Sequence, residues 1–233
     1  MLGRGKVTLQ AIQGQLFENR NFMAQVVVPD LLAACDKAPT AESRDGCAAL
    51  KGWDRRNNVD ARGAHVFREF WRTARNIPGV HRVPFDPAQP VATPAGLKME
   101  DAATAAKVWE ALDGAVKAIR TSGYTLDATL GSVQRPAITE EAIALHGGEE
   151  FEGVLNNLGR QEPAPINKAG LRIDYGTSYV QTVTFDAKGP VAQAILTYGQ
   201  STNPASPHAN DQMREFSAKR WHTLPFHRDD VVK

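Results

Sequence analysis

Two stretches in the C-terminal third, GLRIDYGTSYVQTVTF (170–185) and GPVAQAILTYGQ (189–200), limit what this chain can fold into. Both are rich in Val, Ile, Thr and Tyr, and DAKG (186–189) between them reads as a hairpin connection. No other segment of the 233 residues reads as a strand with comparable clarity. An isolated hairpin is marginal in water, and each of its edges presents unpaired N–H and C=O groups. The pair therefore calls for further strands that the sequence does not obviously supply, and the chain reads as part of a protein.

The remainder reads as mostly helical. Thr8 is placed to cap a helix with Leu9, Ile12, Leu16 and Phe17 at near-helical spacing. In VVVPDLLAACD (26–36), Pro29 is expected to begin a new helix at its first turn, and Gly46 to Trp53 reads as a short one. RGAHVFREFWRTARN (62–76) sets Ala64, Phe67, Phe70, Trp71 and Ala74 on one face, with Arg and Glu opposite. Five prolines make 77–96 an extended surface connection. Residues 99–123 carry the strongest helix signals: acidic residues early, Lys117 and Arg120 late, and Gly123 as the stop. TEEAIALHG (139–147) predicts a short helix capped by Thr139, QEPAPINKAG a loop, DQMREFSAKRW a helix, and HTLPFHRDDVVK an extended tail. The fold class is α+β: a mainly helical portion over 1–123, then 124–233 with the hairpin and a C-terminal helix, as parts of one unit rather than independent domains.

Charge excludes some functions. Basic and acidic residues nearly cancel to a formal +1, and no basic tail or stripe points to nucleic acid or an anionic membrane. The longest apolar runs contain Pro or Asp and fall short of the roughly 20 residues needed to span a bilayer. MLGRGKVTLQ lacks the apolar region of a secretory signal. Cys35 and Cys47, twelve apart across the polar stretch DKAPTAESRDG, fit neither a C-x-x-C redox pair nor a zinc site. They are read as a disulfide, which would place the protein outside a reducing cytosol, with two buried free thiols as the alternative.

GQSTNPASPHANDQ (199–212) holds Ser206, His208 and Asp211 within six residues, the residue types of a hydrolytic triad. A triad needs the serine hydroxyl on the imidazole and the imidazole on a buried carboxylate. Serine and histidine separated only by Pro207 point apart in an extended segment, and no G-x-S-x-G elbow exposes the serine. The better reading is a turn tied by Asn203, Ser206, Asp211 and Gln212, with Ser206 as N-cap and Pro207 at N1. His208, His222 and His227 lack the spacing of a zinc motif. His65 reads as an ordinary hydrogen-bonded residue within a helix. WDRRNN (53–58) reads as a solvated face or as partners for Asp45, Asp54 and Asp60 rather than an anion site.

The run from 175 to 226 resembles the C-terminal end of the penicillin acylase family of N-terminal-nucleophile amidohydrolases. A pattern of G-Q-S, S-P-H, D-Q and L-x-F stands here as Gly199-Gln200-Ser201, Ser206-Pro207-His208, Asp211-Gln212 and Leu224-Pro225-Phe226. LLAACDKAP (31–39) and CAALKGWDRRNNVDARGAHVFREFW (47–71) resemble the branch that cleaves acyl-homoserine lactones and aculeacin-type lipopeptides, while 77–165 matches least. The resemblance implies an αββα sandwich made from one precursor that cuts itself into an α and a β chain. The new N-terminal residue of the β chain, usually serine, is then the nucleophile, with its own amine as base.

No segment here matches that nucleophile or the family's oxyanion asparagine, so the resemblance gives no catalytic residue in this chain. It implies no cofactor either, and the calcium of some relatives uses upstream positions. Gln200, Ser201, Ser206, His208, Asp211 and Gln212 become a structural signature that ends one strand and starts a helix. The expectation is the C-terminal part of the β subunit of a secreted or periplasmic acylase. Its partners would be the α chain and the upstream part of the β chain, and its substrate a small acyl amide. Two other classes make different predictions. A stand-alone helical binding module would be a stable monomer, and a self-contained Ser/His hydrolase would lose activity on Ser206→Ala or His208→Ala.

Overall fold

The computed structural model describes residue 5 and residues 7–231. The N-terminal portion is helical: α1 Leu9–Phe17, α2 Phe22–Ala33, a 3₁₀ turn at Cys35–Lys37, α3 Ala41–Lys51, α4 Ala64–Ala74 and α5 Ala102–Ser122. Thr8 caps α1, its hydroxyl accepting from Ala11 N at 3.1 Å. Asn21 caps α2, and this helix runs straight through Pro29 instead of restarting there. Pro29 and Gln25, whose carbonyl loses its N–H partner, are both exposed, so the missing bond does not strand a polar group in the core. Val27, Val28 and Leu31 meanwhile hold both halves in the core.

α3 begins earlier than the sequence suggests. Thr40 accepts from Ser43 N at 2.9 Å, and both hydroxyls bond Asp113 of α5. The polar stretch between the cysteines is therefore mostly helix. Cys35 and Cys47, with Cα atoms 6.1 Å apart, form a disulfide that ties the 3₁₀ turn to α3. Residues 77–96 carry no helix or strand beyond a single bridge between Val83 and Ala95. Asp101 caps α5, and Gly123 ends it in the left-handed conformation.

After a single turn, α6 (Leu130–Val133), the chain forms small sheets. β1 (Gln134–Pro136) runs parallel to β3 (Leu171–Ile173), and β2 (Leu158–Gly159) antiparallel to β4 (Tyr175–Gly176). Residues 139–147 form no helix: Ile143 and Leu145 are buried at alternate positions, the period of extended chain, and Leu145 N bonds Gln134 O. β5 (Tyr179–Asp186) and β6 (Gly189–Leu196) lie antiparallel with Asp186 opposite Gly189. β7 (His222–Leu224) adds to the other side of β6, so the expected tail contributes a strand. α7 (Asp211–Ser217) lies between them in sequence, and α8 (Arg228–Val231) follows.

One face of the three-stranded sheet is covered by α1, where Gln13 donates to Thr182 Oγ1 at 3.0 Å and to Gln193 Oε1 at 2.7 Å. On the opposite face Tyr179, Val183 and Phe185 are exposed, and β5 pairs with no further strand among the described residues.

The apolar residues form two clusters. The larger gathers α2–α5 around Trp53, Phe67, Phe70, Trp71 and Leu112, and draws in Leu130, Ile166 and Leu171. The smaller joins Leu16 and Phe17 of α1 to Leu145, Ile195, Met213 and Phe216. Each cluster takes residues from both halves of the sequence.

Candidate functional site

The loop 199–212 is held by its own polar atoms. Ser201 Oγ accepts from Asn203 N at 3.2 Å, Asn203 Oδ1 from Ala205 N at 3.0 Å, and Ser206 Oγ from His208 N at 3.2 Å. Gln200 N donates to His208 O at 2.9 Å and folds the loop back on itself. That closure requires Gly199, because a Cβ there would collide with the Ala209 carbonyl. Gln212 N donates to Asp211 Oδ1 at 2.7 Å. The helix starts at Asp211, four residues later than expected, with Asn210 rather than Ser206 as N-cap. Asn210 instead bridges outward to Thr139 and Glu141, and Glu141 receives a two-pronged bond from Arg214 at 2.7 and 2.6 Å.

His208 and Asp211 do come together, Nδ1 to Oδ2 at 2.9 Å, but His208 is exposed and Asp211 only partly covered. The imidazole bond is the chief cause holding the Asp211 carboxyl below its ordinary range. Ser206 Oγ bonds a backbone amide and not the imidazole. The three residues thus make a turn and a surface hydrogen bond, without the buried relay a triad needs. His222 and His227 are apart from this pair in β7 and the tail, and no group of three or more His, Cys, Asp or Glu gathers to hold a metal among the described residues.

Beside the loop lies a cavity of about 780 Å³ lined by Ile138, Thr139, Tyr198, Ser201 and Pro204, among others. Burial pushes the Tyr198 hydroxyl up to about 12, so it is a neutral phenol at any ordinary pH.

The largest concentration of buried polar chemistry lies between the two apolar clusters. Arg68 and Glu69 of α4, assigned by periodicity to a solvent face, are both buried. Arg68 Nε donates to Glu152 Oε2 at 2.7 Å, its Nη1 bonds Gln134 Oε1, and its Nη2 reaches Gly147 O at 3.2 Å. Glu152 is fully satisfied: Oε2 also accepts from Glu149 N at 2.7 Å, while Oε1 accepts from Asn21 at 2.8 Å and Asn57 at 3.1 Å. Such pairing is what makes a buried ion pair tolerable. Asn156 continues the network, donating to Asn19 Oδ1 at 3.1 Å and to His146 Nδ1 at 2.9 Å.

His146 donates from Nε2 to Phe216 O at 2.9 Å, stacks on Phe216 at 4.5 Å and meets Phe17 edge-on. Burial pushes its pKa down to about 4. His65 likewise bonds Thr125 O at 3.0 Å, and burial lowers its pKa. Of the basic cluster at 53–58, Arg56 pairs with Glu18 at 2.8 Å and with the expected Asp54 at 4.0 Å, whereas Asp45 pairs with Arg120. Short-range patterns do not reveal this network, because its members are spread over 137 residues between Asn19 and Asn156.

A family model described as penicillin amidase matches residues 1–233. The acyl-homoserine lactone acylase PvdQ of Pseudomonas syringae pv. syringae (strain B728a) is 34% identical over 232 residues, covering 97% of this chain and 29% of that protein. The acyl-homoserine lactone acylase PvdQ of Pseudomonas fluorescens (strain Pf0-1) is 34% identical over 229 residues, covering 98% and 29%. The aculeacin-A acylase of Actinoplanes utahensis is 33% identical over 232 residues, covering 96% and 28%. This chain spans under a third of the length of these relatives.

Proposed function

The chain belongs to the penicillin amidase family, and on that premise we propose that it is the C-terminal part of the β subunit of an acylase whose N-terminal serine nucleophile lies on another chain or an upstream segment. The complete enzyme hydrolyses the amide of N-acyl-homoserine lactones, with β-lactams such as penicillin and lipopeptides as further substrates. The observation that carries this reading is the three-stranded sheet. Its outer face exposes Tyr179, Val183 and Phe185, and β5 has no strand on its far side among the described residues. An apolar face with an open edge is unsuited to water. Upstream strands pairing with β5, and a second sheet laid on that face, would complete an αββα sandwich.

The disulfide supports a periplasmic or secreted location. Ser206 bonded to a backbone amide, with an exposed His208, supports a structural role for the 199–212 loop. The α chain and the upstream part of the β chain are the proposed partners. Intact-mass analysis and N-terminal sequencing of all co-purifying chains, with an acyl-homoserine lactone hydrolysis assay, test the reading. An added chain beginning with Ser, Thr or Cys, together with activity, is expected. A lone, monodisperse 25.4 kDa protein without activity would overturn it and favour the binding module.

A further inference from the structure

The loop that carries Glu152 into the buried network continues into a pocket of about 280 Å³, at the small end for ligand sites. Two guanidiniums line it. Arg75 lies at the C-terminal end of α4 with its guanidinium carbon 4.5 Å from the centre of the Phe151 ring. Arg160 follows β2 and is half-buried. Of its five N–H groups, one is used, on Ala164 O, and Nε is buried without an acceptor. Neither arginine forms an ion pair among the described residues, although every other arginine of the buried network and of α4 is paired or fully bonded. Phe151, Pro163 and Tyr175 give the pocket apolar walls.

We propose that this pocket binds a carboxylate, held between Arg75 and Arg160, with its apolar substituent against Phe151 and Tyr175. Guanidinium forks match carboxylate geometry, and an under-bonded arginine in a partly dry site gains most from such a partner. Glu149 and Glu150 on the same rim argue against a dianion such as phosphate and for a singly charged acid. The carboxylate comes either from a free small acid or from an acidic side chain of an accompanying chain.

The protein, as purified with whatever chains accompany it, is titrated calorimetrically at pH 7 with hexanoate and with hexanamide, which has the same tail and no charge. Saturable binding of hexanoate and none of hexanamide is expected, weakened at least tenfold by Arg160→Gln. Arg75→Gln, at an exposed position that folding does not require, should do the same, and Arg228→Gln on α8 should change nothing. If a side chain already fills the pocket, hexanoate does not bind. In that case carbodiimide coupling of the Arg75→Lys variant links position 75 to an Asp or Glu outside residues 1–233, read by mass spectrometry. Equal binding of acid and amide overturns the proposal, as does absence of both binding and such a link.

Discussion

His146 makes the burial of the polar network between the two apolar clusters measurable. Its ring is fully buried, stacked on Phe216, with Nε2–H committed to the Phe216 carbonyl and Nδ1 accepting from Asn156. That arrangement suits only the neutral ring, and Lys219 nearby adds repulsion against a second proton. The folded-state pKa is about 4 against 6.5 in the unfolded chain. Between those values the unfolded chain takes up the proton and the folded protein does not, so acidification favours unfolding. Stability from this site is intact above pH 6.5 and falls as the pH drops, levelling off below the folded pKa. At about 1.4 kcal/mol per pKa unit, the loss amounts to about 3 kcal/mol by pH 4.

Glu149 works in the opposite direction, since its pKa is raised and the folded state takes up that proton first. Urea unfolding of wild type and His146→Gln from pH 7.5 to 4 separates the two, because Glu149 and the other carboxylates contribute to both curves. The wild type should lose about 3 kcal/mol more than the variant across this range. In a direct NMR titration, the His146 ring proton should shift with a midpoint near 4. Parallel stability curves, or a His146 midpoint at 6.5 or above, would refute the reasoning.

Removing one partner of the buried ion pair by Arg68→Ala should cost about 3–5 kcal/mol in denaturant unfolding, whereas the double change Arg68→Met with Glu152→Leu should cost less. Replacing both Cys35 and Cys47 by Ser should cost about 3 kcal/mol, with reduction of the wild type matching it. Gly199→Ala should lower Tm by the equivalent of about 1–3 kcal/mol, because its Cβ meets backbone. Gly114→Ala, inside α5 with open space around it, should gain up to about 1 kcal/mol. In the complete enzyme, Ser206→Ala and His208→Ala should each leave hydrolysis within a few-fold of wild type, and loss of turnover would restore a catalytic role to the loop.

Local signals placed the elements whose causes are local. The Thr8 cap, the Gly123 stop and the β-rich composition on either side of the DAKG connection each depend on residues within a few positions of one another. Where a distant partner decides, the sequence misleads. Pro29 looks like a helix start until Val27, Val28 and Leu31 are seen packed on either side of it. Arg68 looks like a solvent residue until Glu152, Gln134 and Gly147, 66 to 84 positions away, surround it. The loop 199–212 shows both cases. Its Asx and Ser turns are local and were legible, but the N-cap moved to Asn210 because Asn210 has partners in Thr139 and Glu141, about 70 residues upstream. The requirement for Gly199 was not legible either, since it arises from the approach of the Ala209 carbonyl across the closed loop. The same logic extends to the sheet: no contact among the described residues covers the far edge of β5 or its apolar outer face, so whatever pairs there is as invisible to local patterns as the Arg68 environment is from within α4. The open edge of β5 and the exposed outer face are therefore where strand pairing with co-purifying chains should first be sought.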